Sequence, residues 1–314
     1  MIIEIRKYTQ DDHSVWDKFL LNAQQASFLF HRNFMDYHSD RFQDFSLMIY
    51  EDDELVAVLP ANKIDDEVFS HLGLTYGGII INGDSEITNM EKIIDAVANF
   101  LKQKDIKALY IKNLPQFYYN DGIDILEIPL TNKNAEVYRT DKVLAIDYSK
   151  PFAIHKTKLK NYRKNHAKGF VIQETDDFSL FWNMVLVPRL KEKHKATPVH
   201  NLEEITLLRS RFPNHVRQFN IYLNDDILAG ITIFDKGPIV KSQYGATTNK
   251  GEKERALEYL FLHLIYKYKG SEKNFFSMGT VTENNELGYN KGLLKQKEEL
   301  GCEVYSQDFY KLEL

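Results

Sequence analysis

The feature that most restricts how this chain can fold is an internal echo, in which one order of predicted strands and helices occurs twice. The pattern Ser70-His-Leu-Gly73 reappears as Ser242-Gln-Tyr-Gly245 at the corresponding place in the second copy. In the first copy the predicted elements are a hairpin of strands at 46–50 and 54–62, a strand at 68–74, a helix opened by the capping-box pattern Thr88-Asn-Met-Glu91, and a strand at 108–111. In the second copy they are strands at 226–234 and 239–245, a helix at 252–268 and a strand at 274–278. The echo predicts two copies of one βββαβ unit, and the alternative is two unrelated α/β halves.

The length agrees with a duplication, because 314 residues with 43% apolar side chains exceed one ordinary domain and can bury two cores. A boundary near residue 140 predicts a first domain at 1–140 and a second at 141–301, with a C-terminal strand at 302–314 as a candidate to complete the first. Further helices are predicted at 15–23, 33–42, 153–168, 178–193 and 201–212, and a further strand at 170–174. The expected fold class is α/β or α+β.

Charge and cysteine content exclude several classes of protein. Forty Lys and Arg against forty-five Asp and Glu give a net charge of -5, so no global basic field collects nucleic acid, and DNA is not an expected partner. The single cysteine, Cys302, cannot form an intramolecular disulfide, and no Cys/His cluster has zinc-ligand spacing, so no metal is expected. The amino terminus lacks the apolar core of a signal peptide, and no apolar stretch approaches the roughly 20 residues of a membrane span. These observations favour a cytoplasmic protein without a transmembrane segment.

Four segments carry a resemblance to a known family. They are Leu159-Lys-Asn-Tyr-Arg-Lys-Asn-His-Ala-Lys-Gly169, Gln243-Tyr-Gly-Ala-Thr-Thr-Asn-Lys-Gly251, Phe275-Phe-Ser-Met-Gly279 and Gly292-Leu-Leu-Lys-Gln-Lys-Glu-Glu-Leu-Gly301. In them the second half resembles the FemAB/FemX group of tandem-GNAT transferases, which add amino acids to cell-wall precursors. The last segment is the most specific and follows a family pattern of roughly G-L-x-x-F-K-x-x-F-G, although Gln296 and Leu300 stand where the family prefers Phe. The resemblance implies two tandem GNAT-like domains, each a mixed, mostly antiparallel sheet flanked by helices, with the active site in the second.

Three residues are predicted to take part in catalysis. Lys297 falls on the lysine of the family pattern, where the resemblance implies stabilisation of the acyl-transfer transition state, and a cation beside a developing oxyanion has that effect. Glu283 follows the strand at 274–278 and has the chemistry of a general base for an attacking amine, while Tyr244 has that of an acid for the leaving group. The plainer alternatives are a surface lysine, a helix-capping carboxylate and a packed tyrosine.

The resemblance also implies where an acyl donor lies. In a GNAT domain the acyl-pantetheine occupies the gap between two central strands that splay apart, and backbone amides of the following loop and helix start bind pyrophosphate. The candidate contacts in this chain are Gly245, Ala246, Thr247, Lys250 and Gly251. This loop departs from the usual Q/R-x-x-G-x-G/A pattern, and Glu252 and Glu254 stand where phosphate would approach. We therefore expect acyl-CoA as a co-substrate, on a weak pyrophosphate motif, and no permanently bound cofactor.

The substrate is expected to contact a basic helix and a few scattered polar side chains. Between Lys150 and Lys168 lie seven Lys or Arg residues and no acid, so one helix face is positive. Arg163 and Lys164 are the predicted clamp for a diphosphate or for CoA phosphates, with a solvated helix face as the alternative. The remaining candidate contacts are Arg41, which shares a predicted helix face with His38, and His71, Tyr76, Asn285 and Asn290. Each of these has packing, capping or turn formation as its alternative.

Taken together, the residues and the resemblance predict an N-acyltransferase. It would move an acyl group from acyl-CoA to an amine on a nucleotide-linked or lipid-linked cell-envelope sugar or peptide. One alternative is a FemX-like transferase that uses aminoacyl-tRNA, which the acidic net charge disfavours because tRNA demands a broad basic surface. The other is a non-catalytic binding protein with a degenerate GNAT fold. The sequence does not indicate an oligomeric state.

Overall fold

The computed structural model describes residues 3–23, 25–82, 90–119 and 124–314. The chain divides into two compact units. Unit 1 comprises Met1–Asp141 and Tyr305–Leu314, and unit 2 comprises Lys142–Val304.

The helices and strands of the described residues are named in chain order. The strands are β1 Ile3–Lys7, β2 Gln43–Asp44, β3 Leu47–Glu51, β4 Glu54–Leu59, β5 Asn62–Ile64, β6 Glu67–Phe69, β7 Ile80–Ile81, β8 Ala108–Lys112, β9 Glu136–Asp147, β10 Val171–Thr175, β11 Val216–Leu223, β12 Asp226–Asp235, β13 Ile239–Thr247, β14 Phe275–Thr280 and β15 Glu303–Glu313. The α-helices are α1 His13–Leu20, α2 Arg32–Met35, α3 Met90–Lys102, α4 Glu127–Asn132, α5 Lys156–His166, α6 Ser179–Phe181, α7 Val187–His194, α8 Leu202–Arg211, α9 Asn249–Glu254, α10 Ala256–Lys269 and α11 Lys291–Glu298. A π-helical stretch, Trp182–Leu186, joins α6 to α7.

Unit 1 contains two sheets where the sequence predicts one meander. One has the strand order β1-β3-β4-β7 and the other the order β15-β8-β6-β5-β2. The predicted hairpin is confirmed, because β3 and β4 pair antiparallel around Asp52 and Asp53, both of which have positive φ as a tight hairpin turn requires. The predicted strand at 54–62 is divided into β4 and β5 at Pro60, which has no N–H to donate to a ladder. The core of this unit is α3 packed on β3, β4 and β8, with Ile93, Val97 and Leu101 buried.

Three predictions for the first half need correction or lie outside the described residues. The strand predicted at 68–74 ends at Phe69, because His71 adopts a left-handed backbone (φ +61°) that a strand does not accommodate. The helix predicted at 33–42 is one α-turn, α2, followed by a 3-10 turn at Asp36–His38, so His38 and Arg41 do not share an α-helical face. Residues Thr88 and Asn89 of the predicted capping box lie outside the described residues.

Unit 2 is built on one six-stranded sheet with the order β10-β11-β12-β13-β14-β9. Its pairs are antiparallel except for β13 and β14, which run parallel. The long helix α10 covers one face, and its Leu260 and Leu264 are buried against sheet residues such as Ile231, Val240 and Phe276. Mixed, mostly antiparallel sheets flanked by helices are therefore found in both units, as predicted.

The helices of unit 2 follow the predictions with one correction. Asn201 caps α8 through a capping box, since its side chain accepts from the Glu204 backbone N–H at 2.8 Å and Glu204 accepts from the Asn201 N–H at 2.9 Å. The helix predicted at 252–268 is instead two helices, α9 and α10. Arg255 separates them with φ +55°, a conformation that ends one helix and lets the next start at a new angle.

His71 generates a testable dependence of stability on pH. Burial, reinforced by the neighbouring His38, lowers the pKa of His71 to about 3. In the unfolded chain the pKa is about 6.5, so below that pH the unfolded state binds a proton that the folded state rejects. We expect the free energy of unfolding to fall by about 2–3 kcal/mol from this group between pH 7.5 and 4.5.

The measurement is a set of denaturant melts at the two pH values on the wild type and on His71→Asn. Asn tolerates the left-handed backbone but does not titrate, so it is the matched control. The wild type is expected to lose more stability on acidification than the variant. Equal losses in the two proteins would contradict the assignment.

Candidate active site

The centre of the unit 2 sheet has an opening between its two parallel strands. The β13–β14 ladder consists of Ile239 with Phe275, Val240 with Phe276 and Lys241 with Ser277, and it ends there. β13 continues to Thr247 and β14 to Thr280, but the two strands no longer pair. Both strands also carry a register shift next to this point, β13 against β12 and β14 against β9. Such irregularities bend strands and re-aim their side chains, so they account for the separation.

Lys297, from α11, lies at this opening as the family pattern led us to expect. Its Nζ donates to the carbonyl oxygens of Thr280 at 2.9 Å and Gly279 at 3.3 Å, at the carboxyl end of β14. The side chain is only 6% exposed, so its ammonium is held in a largely dry environment. Burial lowers the pKa of Lys297 to about 8, while the adjacent Cys302 opposes that shift. The alternative of a surface lysine is therefore excluded for Lys297.

A second lysine, Lys241, approaches the same place and was missed by the sequence analysis. It occupies the last paired position of β13, and its Cε lies 3.9 Å from the position that a Cβ on Gly279 would take. Its Nζ also donates to the Gln243 side chain at 2.5 Å. Lys241 and Lys297 thus approach Gly279 from different elements and place two amines at the strand opening. A lone lysine in a strand gives no sequence signal for this.

Tyr244 is tied to a buried histidine, His200, that the sequence analysis did not single out. The tyrosine hydroxyl lies 2.5 Å from His200 Nδ1 and accepts from the His200 backbone N–H at 3.1 Å. The indole N–H of Trp182 donates to the His200 carbonyl at 3.1 Å, and its ring meets the Tyr244 ring edge-on. Burial raises the pKa of Tyr244 to about 12, so it carries its proton at neutral pH. The hydroxyl is thus hydrogen-bonded, unlike that of a merely packed tyrosine.

The loop between β14 and α11 brings Glu283, Asn285 and Asn290 together. Glu283 is exposed and accepts from the Asn290 side chain at 2.7 Å and the Asn285 side chain at 3.2 Å. Asn290 in turn caps α11 by accepting from the Leu293 N–H at 2.9 Å. These contacts hold the loop together, which is the turn-forming alternative for both asparagines. The catalytic role of Glu283 and the substrate contacts of Asn285 and Asn290 stay predictions.

The residues predicted to bind an acyl donor form the end of β13 and the short helix α9. The Gly251 N–H donates to the Thr248 hydroxyl at 3.0 Å, which already satisfies it. A Cβ on Gly251 would lie 2.2 Å from the Leu228 carbonyl, so glycine is needed here for close packing. Lys250 pairs with Asp226 at 2.6 Å, while Gly245 is exposed and Ala246 and Thr247 are buried. Donor binding by these residues stays a prediction, and the contacts of Gly251 and Lys250 give it no support.

The acids expected to obstruct phosphate are both in ion pairs. Glu252 pairs with Arg189 at 2.6 Å, and Glu254 pairs with Lys168. Their negative charge is therefore partly neutralised, although they still stand beside the start of α10.

The basic stretch before β10 forms a helix with two different faces. On the buried face of α5, Lys158 pairs with Glu258 of α10 at 2.7 Å and with Glu299 at 3.4 Å. Four cations point the other way and are exposed, and their spacing puts them on one face. These residues are Lys156, Lys160, Arg163 and Lys164. The predicted clamp residues are thus accessible to an anion, and their role stays a prediction.

The candidate substrate contacts of unit 1 are placed differently from one another. Tyr76 is 0% exposed and lies among aromatic rings including Phe30 and Tyr118, and His71 is 3% exposed. Arg41 is partly exposed in the turn after the 3-10 helix. The burial of Tyr76 and His71 gives no support to their predicted substrate contacts and agrees with the packing alternative.

Two searches of the described residues for other kinds of site gave negative results. Over the described ranges no group of three or more His, Cys, Asp or Glu side chains is arranged to hold a metal ion. In the same part of the chain no helix is both long and apolar enough to cross a membrane.

Comparison with solved structures identifies the fold. FemX aligns over 99% of this chain and 97% of its own, with a TM-score of 0.70 at 11% identity. The chain has the FemX-like tandem GNAT fold. A tandem GNAT protein from the clavulanic acid biosynthesis pathway aligns over 99% and 98% of the two chains (TM-score 0.54, 10% identity). L-PGS from Bacillus licheniformis aligns over 85% and 83% (TM-score 0.60, 12% identity). No protein-family model and no curated protein matches the sequence.

The two GNAT-like units differ in whether the central opening is free. In unit 1 the parallel pair β6 and β8 also separates, but residues 70–77 return to β8. The Lys112 N–H donates to the Ser70 hydroxyl at 2.8 Å, and the Lys112 carbonyl accepts from the Gly77 N–H at 2.7 Å. A Cβ on Gly77 would lie 2.0 Å from the Ser70 carbonyl, so this return requires glycine. The chain itself occupies the position in unit 1 that is open in unit 2.

The depressed pKa of Lys297 can be measured directly. In a sample with 13C at lysine Cε, we expect one resonance to titrate with a midpoint near pH 8, because burial destabilises the ammonium. The Lys297→Met spectrum identifies that resonance by its absence. A midpoint near 10.4, the ordinary value for lysine, would show that the ammonium is well solvated.

Proposed function

We propose that this chain is a transferase that moves an acyl or aminoacyl group from an activated carbonyl onto an amine. The observation that carries the proposal is the buried Lys297 ammonium at the open end of the β13–β14 ladder. Its ammonium has three N–H donors, of which two meet the carbonyls of Gly279 and Thr280, so one remains for a carbonyl oxygen of the substrate. The FemX-like fold supports the proposal because FemX, L-PGS and GNAT proteins share this architecture.

In the proposed reaction the amine attacks the carbonyl carbon of a thioester or ester directly. Negative charge develops on the carbonyl oxygen, and Lys297, with Lys241 nearby, stabilises it more in the transition state than in the ground state. The unpaired edge of β13 offers backbone groups that orient the donor in the opening, as a strand edge does for an extended ligand. The carbon–sulfur or carbon–oxygen bond then breaks, and the amide is released.

The donor is either an acyl-CoA or an aminoacyl-tRNA, and one observation favours the second. Acyl-CoA requires a place for its diphosphate, yet the Gly251 N–H is already capped by Thr248 and two acids stand beside α10. An aminoacyl ester makes no use of that loop, and the exposed cations of α5 offer partners for backbone phosphates. The net charge of -5 acts against any extended tRNA contact, so the basic face of α5 would have to suffice.

The proposed acceptor is an amine on a nucleotide-linked or lipid-linked cell-envelope sugar or peptide. This follows the resemblance to the FemAB/FemX group carried by the segment Gly292 to Gly301. Arg163 and Lys164 are the proposed contacts for a phosphate or diphosphate of either substrate.

Turnover with defined donors tests this function. Acetyl-CoA and alanyl-tRNA are offered separately with a UDP-linked sugar peptide or an amine-bearing lipid, and the amide product is followed by mass spectrometry. We expect product with one donor and a loss of about 10²–10³-fold in kcat for Lys297→Met, because the oxyanion loses its cation.

The matched control is Lys295→Met, an exposed lysine on the same helix, which is expected to leave kcat unchanged. Unaltered turnover in Lys297→Met would contradict the assignment of this residue. If neither donor gives product and neither raises the melting temperature, the non-catalytic alternative replaces the proposal.

A further inference from the structure

The environment of the Tyr244 hydroxyl determines where its proton lies. A tyrosine oxygen has one proton to donate and accepts at most two hydrogen bonds. One acceptor position is taken by the His200 backbone N–H at 3.1 Å, which cannot change its role. A hydrogen bond from the Gln243 side chain lowers the pKa of Tyr244, as a donor to the oxygen does, and so takes the other position. The hydroxyl proton is left to point at His200 Nδ1, 2.5 Å away.

His200 is well placed to receive that proton. Its side chain is 4% exposed, and the hydrogen bond to Tyr244 is short for an O–H to N contact. The carbonyl of His200 is held by the indole N–H of Trp182, and the imidazole lies edge-on to the rings of Phe234 and Tyr244. Both ends of the hydrogen bond are therefore fixed by packing on the sheet, so the pair is preorganised before any substrate binds.

Tyr244 lies on the face of β13 that is opposite to α10. The neighbouring Gly245 faces Phe261 of α10, and successive residues of a strand point to opposite faces. Tyr244 contacts Trp182, which belongs to the helix on the other face. It follows Lys241 by three residues along the strand whose pairing with β14 has ended. Its hydroxyl is therefore on the part of β13 that borders the opening.

We infer that His200 acts through Tyr244 as the base that removes a proton from the attacking amine, an inference that rests on the proposed transferase function. The amine nitrogen takes the position of the Gln243 amide on the tyrosine oxygen. As the new carbon–nitrogen bond forms, the amine proton passes to the Tyr244 oxygen and the tyrosine proton passes to His200 Nδ1. Tyr244 ends neutral, His200 ends as imidazolium, and the thiolate or alkoxide leaving group accounts for the matching negative charge. Return of the histidine proton through Tyr244 to the leaving group completes the reaction, so acid and base roles belong to one pair.

This assignment gives Glu283 a structural role. Its carboxylate is exposed and accepts from Asn285 and Asn290, whereas the Tyr244–His200 pair is buried and aligned. A base that acts through a fixed hydroxyl needs no solvent-exposed loop residue for the proton transfer.

Three variants test the relay in the assay described for the proposed function. His200→Asn keeps a hydrogen-bond acceptor near the Nδ1 position but cannot accept a full proton, and Tyr244→Phe removes the hydroxyl. We expect each to lower kcat by about 10²–10⁴-fold with little change in KM, and the double variant to be no worse than either single one. His215→Asn, a histidine whose Nδ1 lies 2.7 Å from a backbone carbonyl, is the control and is expected to keep wild-type kcat. Wild-type kcat in His200→Asn, with an unchanged melting temperature, would overturn the relay, because a merely structural hydrogen bond is rescued by asparagine.

A second measurement does not depend on the substrate. In 15N-histidine spectra at neutral pH we expect His200 as the neutral tautomer with the proton on Nε2 and Nδ1 accepting. A proton on Nδ1 would overturn the inference, because the tyrosine could then not deliver its own. If no donor supports turnover, the proposed function fails and this spectrum still decides the direction of the hydrogen bond. If Lys297→Met abolishes turnover while the His200 and Tyr244 variants retain it, the function stands and the relay is wrong.

Discussion

The end of the β13–β14 ladder at Lys241 and Ser277 is the constraint on which the rest of the candidate site depends. Pairing in the middle of a sheet is normally continuous, because each unpaired backbone group that loses water costs free energy. Here register shifts on both sides bend the two strands apart. The exposed carbonyls at the end of β14 then become available to Lys297, which fixes α11 against the sheet. Opening and lysine are therefore parts of one arrangement.

A buried lysine in this position stabilises function rather than folding. Transfer of the ammonium away from water is unfavourable, which is why the pKa of Lys297 falls to about 8. Two carbonyl acceptors offset part of that cost without neutralising the charge. A carboxylate partner would make the site more stable, but it would also cancel the positive potential that a developing oxyanion needs. The contrast with Lys158, which is buried in α5 beside Glu258 and Glu299, shows the structural use of the same residue type.

The two units show how one fold can be kept for different purposes. Both have a parallel strand pair next to a helix, but in unit 1 the segment from Ser70 to Gly77 returns to β8 and satisfies the backbone of Lys112. The left-handed His71 makes that return possible and leaves the imidazole buried and neutral. In unit 2 the strand at the same place continues as β13 and keeps its edge free. The echo Ser70 to Gly73 and Ser242 to Gly245 therefore marks equivalent positions with opposite backbone conformations.

Apolar periodicity and capping patterns determined the order of helices and strands by themselves, since they depend on local contacts that the sequence displays. The capping box at Asn201, the hairpin at Asp52 and Asp53 and the position of Lys297 in the terminal pattern were all readable in this way. The break at Arg255 and the turn at His71 were not, because a left-handed residue other than glycine gives little local signal. Which polar residues meet was also beyond the sequence, since Lys241, His200 and Tyr244 come from separated parts of the chain. The sequence determined two GNAT-like halves and one lysine, while the tertiary structure decided which half is open and which side chains border the opening, because strand separation and burial arise only from long-range packing.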